Sequence, residues 1–189
     1  DREKDRAATA AREFGFDRVY TDVDELLAVE RPDACLAFTP VQLNAPIGLK
    51  LVRAKIPGLI EKPPGATAAE AQELANICAN EGGRLMVSVN RRFEPAHIGA
   101  LSWVGARPIH AVRVMMARHN RFDPRFLKET GIHVIDAVRS IMGGPVESKG
   151  SRQVVAGGQW WNIRLRFPNG AWATIDLAPT AGGRAEHED

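Results

Sequence analysis

The sequence predicts an α/β architecture: a doubly wound parallel sheet over residues 1–90, followed by an α+β domain with a mainly antiparallel sheet over residues 91–189. Up to Asn90, short apolar runs alternate with helical segments, the pattern of parallel strands covered by helices. Beyond Phe93 the strand-like runs succeed one another, with a turn signal at Phe167-Pro168-Asn169-Gly170-Ala171. At 189 residues, 44% apolar and 25% charged, the chain is ordinary globular material and long enough to bury a core.

The elements follow in order. Residues 3–14 are rich in Ala, Glu and Arg and stop at Gly15, which predicts a helix. Arg18-Val19-Tyr20 reads as a short strand, and Thr21-Asp22-Val23-Asp24 as the capped start of a helix through Leu27. Residues 33–38 read as a buried strand closed by Thr39-Pro40, and residues 45–54 as a helix with Leu49, Leu51 and Val52 on its apolar side. Leu59-Ile60 opens a strand that runs into Glu61-Lys62-Pro63-Pro64-Gly65. Thr67 and Glu70 form a capping box for a helix to about Asn80, and residues 84–89 are the next strand. The second domain reads as a short helix over 94–102, a strand over 109–115, one long helix over 124–142 stopped by Gly143-Gly144-Pro145, and strands over 146–156, 159–167 and 171–178. No internal repeat or low-complexity segment interrupts this pattern.

Charge and composition exclude several classes of function. Twenty-five Lys and Arg oppose 23 acids, a net of +2, so no single-sign field is available to hold nucleic acid or an acidic membrane. Aromatic residues make up 6%, which argues against base-stacking platforms. No run of about 18 apolar residues predicts a membrane span. Two cysteines, Cys35 and Cys78, fit core positions and a reducing compartment, the cytoplasm.

Three segments carry candidate chemistry. Glu61-Lys62-Pro63 ends a predicted strand, and ligands of open α/β sheets bind outside the carboxyl ends of strands; the bland alternative is a solvated lysine in a turn. On the helix over 124–142, Glu129, His133 and Asp136 are spaced i, i+4, i+7 and share one face, flanked by Ile132, Val134, Ile135, Val138 and Ile141. Such a polar stripe lines a cavity or meets partners, and His133 is suited to proton exchange near neutral pH; the alternative is a core histidine satisfied by a carboxylate. With one His in the stripe and no Cys beside it, a metal site is not expected. Asn90-Arg91-Arg92-Phe93 lies at the domain junction, where one of the two arginines would hold a phosphate or hydroxyl-rich ligand unless the segment is only an exposed basic turn. No G-x-S-x-G elbow, P-loop or C-x-x-C is present, and His97, His110, His119 and His187 join no recognisable arrangement.

Glu61-Lys62-Pro63, then Asn90-Arg91-Arg92-Phe93, then Gly131-Ile132-His133-Val134-Ile135-Asp136, together with Asp1-Arg2, Tyr20 to Leu27, Thr39-Pro40 and Arg166 to Gly170, resemble the Gfo/Idh/MocA family of NAD(P)-dependent oxidoreductases. The resemblance implies a Rossmann-like NAD(P)-binding domain over 1–90 and a substrate and oligomerisation domain over 91–189. It implies that Lys62 and His133 are catalytic, that Glu129 and Arg91 bind substrate, and that Asp136 orients the histidine or binds substrate. It places Thr39, Pro40, Asn44, Glu61, Lys62 and Asn90 along the cofactor cleft. Asp1 would hold the adenosine ribose of NAD, whereas Arg2 would favour NADP. The substrate implied is a sugar, inositol or similar polyol, and the full-length protein a homo-oligomer.

Two positions depart from the family pattern: Asn44 stands where the family often has His, and Glu129 where many members carry Asp. The family's G-x-G-x-x-G turn is absent, so the chain reads as a fragment lacking the first strand, turn and helix and part of the C-terminal sheet. Without the central strands, Val19 and Leu36 would lie about three strand spacings apart, roughly 14 Å, and the pyrophosphate would lack its helix N-terminus. The alternatives to an oxidoreductase are a non-catalytic sugar- or cofactor-binding protein on the same fold, or an inactive fragment.

Overall fold

The computed structural model describes residues 1–155 and 157–181. Ala156, at the end of one expected strand, and the tail over 182–189 with His187 lie outside the described residues. The chain forms two compact units, Asp1–Ser88 and Val89 onward.

The first unit runs α1 (Lys4–Phe14), α2 (Val23–Glu30), β1 (Cys35–Ala37), α3 (Val41–Arg53), β2 (Gly58–Ile60), α4 (Ala68–Asn80) and β3 (Leu85–Val87). Gly15 ends α1 at φ 74°, a left-handed conformation that suits glycine. Asp22 caps α2 by accepting from the Glu25 N–H at 3.0 Å. Thr67 does the same for α4, accepting from the Glu70 N–H at 3.2 Å, while the Glu70 carboxylate reaches back to the Ala66 N–H at 2.9 Å.

The three strands pair in parallel in the order β1-β2-β3, with Ala37, Ile60 and Val87 level at their carboxyl ends. The crossovers through α3 and α4 step the same way across the sheet. Right-handed crossovers in one direction put both helices on one face. There Ala45, Leu51, Ile60 and Leu74 form the core, joined by Cys35, Ala37, Leu85 and Val87. On the opposite face Leu36, Phe38 and Met86 are exposed, so among the described residues helices cover the sheet on one side. Arg18-Val19-Tyr20, expected as a strand, is irregular: among the described residues no strand pairs with it, and the Asp1 amino nitrogen donates to the Tyr20 carbonyl at 3.1 Å.

The second unit begins with a 3-10 turn, Asn90–Phe93, and α5 (Pro95–Val104). It continues through β4 (Ala111–Ala117), a π turn (Leu127–Gly131), α6 (Ile132–Met142), β5 (Glu147–Val155), β6 (Gly158–Arg166) and β7 (Trp172–Ala178). The sheet is mixed: β5-β6 and β6-β7 are antiparallel, whereas β4 pairs with β7 in parallel, giving the order β4-β7-β6-β5. The inner strand β7 alternates cleanly, with Ala173, Ile175 and Leu177 at most 1% exposed. They join Met116, Phe126, Val138 and Leu165 in a core that also takes in Val134 and Ile135 of α6.

The long helix expected over 124–142 is broken by the π turn. Thr130 and Gly131 are weak helix formers, and Gly131 lies so close to β7 that an added Cβ would stand 2.7 Å from Leu177 Cδ1. Leu177 is itself buried in the core, so its side chain would have to shift among packed neighbours to make room. Gly131→Ala should therefore lose about 1–3 kcal/mol to overpacking, partly offset by about 1 kcal/mol of helix propensity. A lowered urea midpoint with an unchanged slope is the expected result.

Candidate active site

The first unit gathers one group of candidate residues at the carboxyl ends of β1 and β2. Pairing continues past both strands, since the Glu61 N–H donates to the Ala37 carbonyl at 3.1 Å and the Ser88 N–H to the Ile60 carbonyl at 2.8 Å. Thr39-Pro40 then turns the chain into α3, whose first turn carries Asn44. Asn44 is completely buried. Its amide nitrogen donates to the Glu61 carbonyl at 3.0 Å and the Pro63 carbonyl at 2.8 Å, and its oxygen accepts the Thr39 hydroxyl at 2.8 Å. Both amide protons are thus committed within the protein.

Lys62 lies between the two clamped carbonyls, half-buried, and its N–H donates to the Glu61 carboxylate at 3.1 Å. The Lys62-Pro63 peptide is cis. Beyond it the loop packs onto the start of α4: an added Cβ at Gly65 would lie 2.7 Å from the Ala71 backbone nitrogen. Asn44 on one side and the α4 cap on the other therefore fix the segment that carries Lys62.

Asp1 is engaged locally. Its carboxylate accepts from Arg6 Nε and Nη2, both at 2.7 Å, and from the Glu3 N–H at 3.0 Å. Arg2 is exposed.

The second unit assembles another group around α6. His133 stands on the first turn of α6, half-buried, with Val134 and Ile135 beside it on the core. One turn on, Asp136 is gripped by Arg92 through two hydrogen bonds, Nε to Oδ2 at 2.8 Å and Nη2 to Oδ1. The Asp136 side chain is 16% exposed and the Arg92 side chain 36%, so the carboxylate is the better-shielded partner. The hydrogen bond to Asp136 holds the Arg92 guanidinium even more firmly protonated than usual. The polar stripe extends another turn to Ser140, whose Oγ lies 3.2 Å from His97 Nε2 on α5 and donates to the Ala137 carbonyl at 2.7 Å.

Glu129 sits within the π turn, 3.4 Å from Arg125 Nη1. A π turn advances less per residue than an α-helix, so Glu129 does not keep the α-helical register with His133 and Asp136. Asn90 and Arg91 lie on the 3-10 turn, where Arg91 pairs with Glu94. Arg91 also borders an open cleft of about 480 Å³ with Glu94, His97, Met115, Arg118 and Val134. Ala137 of α6 reaches this cleft; His133 and Asp136 do not line it.

The sequence does not single out Arg92 within its segment, places His97 in no arrangement and gives Ser140 no role. The signal for Ser140 was present, since it continues the i, i+4 spacing from Asp136. Among the described residues no group of three or more His, Cys, Asp or Glu side chains is placed to hold a metal ion. No helix among them is long and apolar enough to cross a membrane.

Residues 1–89 match the Gfo/Idh/MocA model, described as an oxidoreductase family with an NAD-binding Rossmann fold. D-apiose dehydrogenase of Paraburkholderia graminis is 25% identical, an alignment covering 94% of this chain and 52% of that protein. Inositol 2-dehydrogenase 2 of Saccharopolyspora erythraea is 30% identical over 76% of this chain and 44% of its own length. The chain thus spans about half the length of the curated relatives it matches. An Agrobacterium radiobacter oxidoreductase, solved in complex with NAD+, L-tartaric acid and magnesium, shares the fold at a TM-score of 0.84. That structure is 24% identical, and the match covers 100% of this chain and 60% of the solved one.

Proposed function

We propose that the full-length protein is an NAD(P)-dependent dehydrogenase of a sugar, inositol or related polyol, since residues 1–89 match the Gfo/Idh/MocA model, an oxidoreductase family with an NAD-binding Rossmann fold. The observation that carries this reading is the fixed Glu61-Lys62-Pro63 segment at aligned strand ends, with a half-buried lysine held between two clamped carbonyls. Thr39, Pro40, Glu61 and Lys62 fit the nicotinamide end of a dinucleotide, which open α/β sheets bind beyond their strand ends. The sequence holds no G-x-G-x-x-G turn, so these residues account for that end alone. The named relatives, dehydrogenases of apiose and inositol, support a polyhydroxylated substrate.

When bound, the nicotinamide supplies the hydride chemistry. This chain's residues handle the proton and the geometry. His133 takes the proton from the substrate hydroxyl during oxidation and returns it in the reverse direction. Lys62, on the first unit, is the group suited to stabilising charge that develops in the reaction. Arg92 holds Asp136 on the α6 stripe next to His133, and Glu129 and Arg91 offer further polar contacts to hydroxyl groups.

The test is reduced-nicotinamide formation by the full-length protein with NAD or NADP and a panel of pentoses, branched pentoses and inositols. Turnover with at least one panel member is expected. Tight cofactor binding by calorimetry without turnover on any polyol would favour the non-catalytic reading.

A further inference from the structure

We infer that Asn44 is a positioning residue for Lys62 rather than a cofactor ligand, an inference that rests on the role given to Lys62 above. Asn44 is a fully buried polar side chain in the first unit. Its two amide protons go to the carbonyls of Glu61 and Pro63, the residues on either side of Lys62. Its oxygen takes the Thr39 hydroxyl, which fixes which way the amide faces. No donor remains to meet a ligand.

The clamp links the exit of β1 to the exit of β2, so the Lys62 backbone is set by α3 rather than by the loop alone. The loop's other end is tied to α4 through the Ala66 N–H and the Glu70 carboxylate. Losing the amide takes its donors from the buried Pro63 carbonyl and the part-buried Glu61 carbonyl, and the segment regains freedom. Small displacements of a catalytic group are costly to rate while leaving uniform ligand binding largely intact.

The experiment compares wild type, Asn44→Ala and Thr39→Val in the full-length protein. It reads kcat, the cofactor dissociation constant and amide hydrogen exchange without ligand. For Asn44→Ala, kcat should fall about 30-fold while cofactor affinity stays within about three-fold. Exchange at the Glu61, Lys62 and Ala66 amides should quicken at least about ten-fold, with β3 unchanged. Thr39→Val removes one hydroxyl at nearly constant volume and should give the same pattern with about a three-fold loss of kcat; it decides the matter if Asn44→Ala does not fold.

Unchanged exchange in the folded variants overturns the clamp. A defect confined to cofactor affinity, with kcat restored at saturation, overturns it in favour of a direct cofactor contact. If the wild type turns over no polyol, the dehydrogenase reading falls, while the exchange measurement still decides whether Asn44 sets the Lys62 segment.

Discussion

Replacing Lys62 with alanine in the full-length protein should lower kcat by about 10²–10⁴-fold, the usual worth of a positioned acid–base or charge-stabilising group. The cofactor dissociation constant should stay within about three-fold. The asymmetry follows from how the segment is built. Its backbone is held by Asn44 through the Glu61 and Pro63 carbonyls and by the cap of α4, and none of these contacts uses the lysine side chain. Truncation at Lys62 therefore removes the ammonium group and its stem while these backbone ties remain. Stopped-flow formation of reduced nicotinamide measures the rate, and equilibrium titration measures the affinity. Turnover equal to wild type would remove Lys62 from the chemistry. A large rise in dissociation constant with normal kcat would make it a binding residue.

Much of this arrangement is legible before any coordinates. β1 and β2 are apolar runs closed by Thr39-Pro40 and Glu61-Lys62-Pro63, and the caps at Asp22 and Thr67 announce α2 and α4 by side-chain chemistry alone. The features that escape are those set by neighbours distant in sequence. Asn44 is separated by 17 and 19 residues from the carbonyls it holds. One turn into a helix after Thr-Pro, it reads equally well as a residue facing a ligand.

Arg91 and Arg92 are adjacent, and on a 3-10 turn adjacent side chains point about 120° apart, at three residues per turn. Which of them meets Asp136 depends on a turn type that Asn-Arg-Arg-Phe does not announce. The π turn is hidden for a related reason. Thr130-Gly131 weakens the helix locally, but the extra residue is accommodated only because Gly131 can lie against Leu177 of β7. The turn signal at Asn169-Gly170 predicts the β6-β7 hairpin, whereas the parallel pairing of β7 with β4 joins segments about sixty residues apart and leaves no local mark.

The second large effect is expected at His133. In the full-length protein, His133→Ala should lower kcat by about 10²–10³-fold and remove the inflection near neutral pH from the pH dependence of kcat/KM for alcohol oxidation. The sign is set by the role. A base that must accept the hydroxyl proton works only when unprotonated, so wild-type activity should fall as pH drops through the imidazole range. Asp136 cannot easily substitute, because both of its oxygens are engaged by Arg92. Glu129 lies on the π turn, out of α-helical register with His133, and is occupied with Arg125. The profile therefore separates the cases that a single rate would merge. A neutral-range inflection that survives His133→Ala would assign that titration to another group, and a rate loss with the inflection intact would reduce His133 to a packing residue of α6.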